Sequence, residues 1–406
     1  MKKKIIWGLL LLGIAAIALS VWKGSQRERA QREEETSTDM GKKELVLWSY
    51  YETNAQKEGL DLLMNKFNRS QDAYHASWQY VPMTEFTKRL SIGIMEGNLP
   101  DLVIIDNPDM KTYAELGIFE DLTPYQDFWQ EEDAYYAEVF KSVKWDGHYY
   151  GLPFTCNNVA LIYNKEMLKQ AKIEPPKTWE ELRVAAKMLT KENCSGFLMS
   201  CVEGEQSAFQ VLPWILSAGE NKDSLGGEKT IEAFSFLENL CKDGSMDPNC
   251  VSWSQNDVAR KFAAGETAMM ENGPWVLPIL KEASISYGIA PLPMKEKHVV
   301  ISGGENIGVT KKKDVSGAIS FLEYYKSGDV MQEICKTSSV LPPKKEEAKK
   351  VVQDNEDFRF FEEQMQSCQS RAEFKDWASV SEKLSDAVYG VVTGEMSAKD
   401  AAEHLK

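Results

Sequence analysis

At 406 residues, with 43% hydrophobic and 27% charged content, the chain is long enough for two lobes with separate cores and too apolar to be disordered. A formal net charge of −15 argues against nucleic acid and anionic membrane surfaces as partners, because both are bound through clustered Lys and Arg. The charge is uneven: residues 1–43 carry nine Lys/Arg against five Asp/Glu, so the remainder is more acidic than the whole.

Met1-Lys2-Lys3-Lys4 precedes Ile5–Val21, a run without charge. A positive start followed by an apolar segment is the design of an export signal. At ~1.5 Å per residue the run spans ~25 Å, slightly less than the ~30 Å hydrocarbon core, which fits an uncleaved anchor or a long signal peptide. Ala18-Leu19-Ser20 would permit cleavage, but no polar stretch precedes it, and the uncleaved anchor is preferred. Residues 1–22 are therefore expected to be a signal sequence or membrane anchor, and 23–43, charged and almost free of large apolar groups, a flexible spacer. Either way the body lies outside the cytoplasmic membrane, tethered to its outer face or secreted.

The body opens with an apolar strand, Glu44–Ser49, and Tyr50 and Tyr51 follow at its carboxyl end. Leu60, Leu63, Met64 and Phe67 form one apolar face of a helix beginning near Gln56. Ala76–Val81 reads as a strand, Thr84–Met95 as a helix stopping near Gly97, and Asp101–Ile105 as a buried strand. This alternation implies an open α/β sheet, where ligands bind beyond the carboxyl ends of the strands. Tyr50, Tyr51, Asp106, Asn107 and Asp109 become candidate ligand contacts on that ground. The plainer possibility is that the tyrosines are packing and Asp106 caps the next helix.

Trp145–Asn164 combines an Asp146-Gly147 turn signal, backbone punctuators at Gly151 and Pro153, a polar exit through Asn157 and Asn158, and an apolar strand at Val159–Tyr163. The order fits a crossing from one lobe to another; on these residues alone an ordinary hairpin within one domain is the preferred reading, and Asn157 joins the candidates. Beyond it, Thr178 and Glu181 form a capping box before a helix, Gly196–Ser200 is a strand, and Gln206–Gly219 and Thr230–Lys242 are helical. Trp214 is expected in the core. Phe262–Trp275 ends a helix, runs through a short strand and turns at Asn272-Gly273-Pro274 to present Trp275, an indole suited either to the apolar face of a sugar ring or to packing beneath the next helix. Ile285–Leu292 is expected to return to lobe one. Gly303-Gly304 would let backbone amides approach a ligand, with Glu305 and Asn306 offering an acceptor and a two-way amide. The third crossing is expected near Ser327–Thr337, and a helix from Asp376-Trp377 towards Gly390.

Seven cysteines leave local disulfides Cys194–Cys201 and Cys241–Cys250 open alongside free thiols, since pairing depends on geometry. No CxxC, GxSxG, HExxH or phosphate-loop motif occurs, so neither metal nor cofactor nor nucleophilic catalysis is expected.

DGHYYGLPF with ALIYNKEML and PPKTWEEL, then GNLPDLVIID (Gly97–Asp106), FAAGETAMMENGPW (Phe262–Trp275) and GGENIGVT (Gly303–Thr310), together resemble the solute-binding proteins of ATP-binding cassette (ABC) importers, in their carbohydrate-binding, maltodextrin-binding-like group. The likeness covers most of Glu44–Lys406 and favours the reading of Trp145–Asn164 as a crossing between lobes. It implies an α/β, two-lobed periplasmic-binding-protein-like fold with a hinge of crossing strands and a ligand cleft between lobes: lobe one from 44–155 plus 288–330, lobe two from 156–287 plus 331–406. It implies sugar contacts in the loop after Asp101–Ile105, an aromatic at Phe209 lining the cleft, Trp275 as a stacking surface, and Trp377 in the place of a second one. Gram-positive members usually carry a lipid-modified cysteine after the signal; here the first cysteine is Cys156, which departs from that pattern.

The function implied is binding of a sugar or oligosaccharide in the interlobe cleft and delivery to ABC permease transmembrane subunits, by a protein expected to be a monomer, with no enzyme activity and no nucleic acid partner. A two-carboxylate glycosidase ranks below this, because 62 Asp/Glu make accidental pairs common. The alternatives within the binding class are a polyamine or ferric iron, the latter on the Tyr324-Tyr325 pair, which reads instead as helix packing. A sugar-sensing accessory protein tethered by its N-terminus is a further alternative.

Overall fold

The computed structural model describes residues 41–125 and 130–406, so the expected signal or anchor segment and nearly all of the spacer lie outside the described residues. Among the described residues no helix is long and apolar enough to cross a membrane.

One sheet has five strands in the order Tyr74–Tyr80, Lys43–Ser49, Leu102–Asp106, Glu305–Val309, Gly151–Pro153. The first three run parallel and Glu305–Val309 is antiparallel to both its neighbours. Leu102–Asp106 and Glu305–Val309 are buried at every position; Leu102–Ile105 is accordingly apolar throughout, while Asp106, Glu305 and Asn306 are buried polar side chains at the strand ends. Gly151 and Pro153, expected to end a strand, form one; it is an edge strand, the place in a sheet that tolerates proline. Before it, Asp146 (φ 49°) and Gly147 (φ 83°) make a two-residue turn between Lys144–Trp145 and His148–Tyr149, both left-handed as a tight hairpin requires.

Helix Asn54–Ser70 buries Leu60, Leu63, Met64 and Phe67 and starts at a reciprocal cap, Gln56 N–H donating to Thr53 Oγ1 and Thr53 N–H to Gln56 Oε1. Helix Met83–Glu96 stops at Gly97 in a left-handed conformation (φ 67°). At Thr178 the hydroxyl caps Glu181 N–H as expected, but Glu181 returns its carboxylate to Lys177 N–H.

The other sheet centres on Ala160–Asn164, flanked antiparallel by Met269–Asn272 and Tyr287–Ala290. The expected strand at Gly196–Ser200 is reduced to bridges at Ser195 and Leu198 beside Met269–Asn272. Trp214 is in the core, as expected, stacked 5.5 Å from Phe236 with its indole N–H donating to Glu271.

Three chain segments join the two sheets and are hydrogen-bonded to one another. Cys156 pairs with Leu341, and Asn157 with Gly303, each through two backbone hydrogen bonds. Two expected passages are corrected. Tyr287–Ala290 is paired along its length with Ala160–Asn164, so the return follows that strand and arrives at Ser302–Glu305. Ser327–Thr337 is not a crossing: Gly328–Ser338 is a helix packed so tightly on Asn54–Ser70 that a Cβ at Gly59 would lie 1.9 Å from Ser338 Oγ. Ser339, left-handed at φ 58°, ends that helix, and Val340–Pro342 makes the passage.

All seven cysteines are thiols, so neither local disulfide is present; Cys201 lies against Cys250, with a backbone hydrogen bond between them, rather than Cys194.

Candidate functional site

The cleft is built where strand ends converge. Tyr50 follows the first strand, Asp106 ends the third, and Glu305 stands opposite Asp106 in the antiparallel register. The facing wall comes from the start of helix Glu205–Ser217, from Gln255 and Asn256 opening helix Gln255–Ala263, and from Trp275. Two chambers result, of about 140 and 470 Å³, separated by residues that line both: Tyr50, Met83, Glu205 and Gln206.

The first chamber holds Tyr50, Asp106, Asn157, Phe209, Trp275 and Glu305 from the sequence-based candidates. Trp275 lies flat over Gly273, where a Cβ would meet its ring at 1.9 Å; the glycine thus makes room for the indole. The second chamber holds Asp109 and Trp377, again with Tyr50. Trp377 is the first residue of helix Trp377–Thr393, capped by Asp376, and its indole N–H donates to Glu205 at 3.0 Å.

Three candidates line neither chamber. Tyr51 is buried and donates to Glu305 Oε2 (3.1 Å). Asn107 donates to Asn306 Oδ1 (2.8 Å), and Asn306 donates to Ser142 (3.0 Å). These side chains spend their hydrogen bonds behind the wall, holding Glu305 and the loop after Asp106. Of Gly303-Gly304, Gly304 lines the first chamber, and both glycines also serve the crossing. A Cβ at Gly304 would lie 2.3 Å from Thr155 O, and one at Gly303 2.2 Å from Asn157 Oδ1, so the pair permits close approach of the crossing segment itself.

Arg371, which no motif singled out, is the hub. It is 2% exposed, and its two terminal nitrogens donate to both oxygens of Asp106 at 2.8 and 2.7 Å. It also bonds Glu205, and Glu205 is further bonded by Ser381. Its guanidinium lies 4.4 Å from the Phe209 ring centre. Held by Glu205 and Phe209 on one wall and by Asp106 on the other, Arg371 spans the cleft with charge-assisted, two-pronged hydrogen bonding.

Carboxylates dominate elsewhere. Glu52, Asp106, Glu205 and Glu305 line the first chamber, where Arg371 is the one Lys or Arg among the described residues. Asp109, Glu203, Glu205, Glu382 and Asp386 line the second, which has no Lys or Arg among them. Burial pushes the Glu305 carboxyl up to about 7, with hydrogen bonds from Thr155 and Tyr51 opposing and the Asp106 charge adding to the rise. Burial likewise pushes Glu205 up to about 7, opposed by Arg371. Asp109 is held well above the usual carboxylate range by burial, then by the charges of Asp106 and Glu205. The arrangement can present aromatic faces and hydrogen-bonding groups to a ligand, and it disfavours added negative charge.

The Tyr324-Tyr325 pair lines neither chamber. Tyr325 donates to Phe154 O and Tyr324 packs edge-on to Phe67, as helix packing requires. Among the described residues no group of three His, Cys, Asp or Glu side chains is placed to hold a metal ion.

A family model described as bacterial extracellular solute-binding protein matches residues 63–359. The maltotriose-binding protein of Pyrococcus abyssi is 29% identical over 219 residues, covering 50% of this chain and 44% of that one. The sn-glycerol-3-phosphate-binding periplasmic protein UgpB of Agrobacterium fabrum is 24% identical over 324 residues, 73% of each chain. The fold is that of a solved ABC transporter solute-binding protein from Thermotoga lettingae, bound with alpha-D-tagatose: TM-score 0.81 at 22% identity, over 89% of this chain and 97% of that one.

Proposed function

The chain belongs to the bacterial extracellular solute-binding protein family, whose members bind solutes rather than transform them, and on that footing we propose that it binds a sugar or oligosaccharide between its lobes and delivers it to an ABC permease. The observation that carries this reading is the first chamber. It is lined by Trp275 and Phe209 together with Glu305, Asp106 and Asn157, so apolar ring surface and hydrogen-bonding groups for hydroxyls meet in one space.

Related proteins named for maltotriose and crystallised with tagatose support a carbohydrate. The iron alternative has no support from Tyr324 and Tyr325, which are engaged in packing. The comparisons favour sugars over polyamines. The family places the protein outside the cytoplasm. The basic, apolar N-terminus supports tethering to the membrane, with the lobes closing on ligand about the three hydrogen-bonded crossings and the protein acting as a monomer. Calorimetric titration of the purified protein against neutral mono- and oligosaccharides tests the reading. Saturable heat with one sugar is expected; heat with spermidine alone would replace the sugar by an amine.

A further inference from the structure

Two side chains in the first chamber have polar atoms that the protein leaves unfilled. Arg371 uses both terminal nitrogens on Asp106 and Glu205, but its Nε, buried with the rest of the side chain, has no hydrogen-bond partner. Because the guanidinium is rigid and pinned at three points, the direction of that N–H is set. Asn256 is only 9% exposed, is the second residue of its helix, and its Oδ1 is buried without a partner. A buried donor or acceptor left without a partner loses its hydration with nothing in return, and native proteins rarely keep one without a use for it.

We propose that Arg371 and Asn256 are specificity-determining ligand contacts of this chamber, and that they select an uncharged polyhydroxy ligand over a phosphorylated or carboxylated one. The proposal rests on the sugar reading and narrows it. A hydroxyl both accepts and donates, so a polyol can fill Arg371 Nε–H with one oxygen and Asn256 Oδ1 with another. An ionised phosphate or carboxylate group could accept from Arg371 but has no donor for Asn256 Oδ1, which a hydroxyl elsewhere on the ligand would have to fill. It would also enter beside Asp106, Glu205 and Glu305, and the arginine's charge is already matched by the first two. The ligand class named for the Agrobacterium relative is thereby disfavoured here.

The test uses the purified full chain in thermal unfolding and titration with maltotriose, tagatose, sn-glycerol 3-phosphate and glucose 6-phosphate. The expected result is a response to a neutral sugar and none to the phosphates. Asn256→Ala should keep the melting temperature of the ligand-free protein within about 2 °C, since no partner is lost, yet weaken the responding sugar tenfold or more. Arg371→Lys, which lacks the planar fork, should weaken it as well. A response to either phosphate overturns the charge selection while leaving solute binding intact. Unchanged affinity in Asn256→Ala, or a large loss of stability without ligand, overturns its role as a ligand contact. No response to any of the four compounds, with a response to another class such as spermidine, overturns the sugar reading and this proposal with it.

Discussion

Arg371 and Asp106 face each other across the cleft as a buried two-pronged ion pair, 265 residues apart in the chain, with Asp106 at the end of a strand in one sheet and Arg371 anchored to helix Glu205–Ser217 beside the other. Breaking a buried pair from one side leaves a charge without its partner, which typically costs about 3–5 kcal/mol. Arg371→Ala would strand Asp106 and Glu205 together, so chemical denaturation should show a loss in that range. Asp106→Asn should cost less, because Glu205 still accompanies the arginine, and X-ray scattering of that variant should show a larger radius of gyration if the pair holds the lobes together.

Glu305 supplies a pH signature. Its carboxyl is raised to about 7 in the folded protein, against an unfolded value near 4.5. The folded state therefore binds the proton more tightly. The associated stability is present below pH 4.5 and is lost as pH rises through 7, a change on the order of 3 kcal/mol. Glu205 acts in the same direction. Glu305→Gln should flatten the fall in melting temperature between pH 5 and 8, with Glu205 leaving a residual slope. An unchanged profile would mean that other groups set it.

The crossing segments make a geometric demand at Gly304, whose φ of 121° and 2.3 Å approach of a built Cβ to Thr155 O both exclude a side chain. Gly304→Ala should destabilise by about 2 kcal/mol or more, through backbone strain and separation of the crossing segments. Gly117→Ala, at a left-handed glycine with open space around it, controls for strain alone. Equal losses in the two would show that close approach of the crossing segments is unimportant.

The strands and helices of the first sheet were legible because their signals are local. Leu60, Leu63, Met64 and Phe67 repeat at helical spacing, and Leu102–Ile105 is apolar without interruption. The crossings were less so: Tyr287–Ala290 has the pattern of any short strand, and only its partner decides which sheet it joins. In the cleft, strand-end logic found Tyr50, Asp106 and Asp109, and family likeness found Phe209, Trp275 and Trp377. Tyr51, Asn107 and Asn306 have the same residue types at neighbouring positions, but their side chains are turned behind the wall, Asn306 by the pleat of its strand and the other two by the loops after theirs. Arg371, Glu205 and Asn256 carried no local signal at all. Arg371 sits in an ordinary polar stretch, and its meaning comes from carboxylates 166 and 265 residues away.

Thermal unfolding of the wild type and Trp275→Ala, each against a series of neutral sugars, tests sugar binding in the cleft most directly. A sugar present at a hundred times its dissociation constant should stabilise the wild type by about 2.7 kcal/mol. The expected result is a rise in melting temperature with at least one sugar that disappears in Trp275→Ala, provided that variant remains folded. A rise that survives unchanged in Trp275→Ala would place the sugar elsewhere, and no rise with any sugar would contradict the carbohydrate assignment.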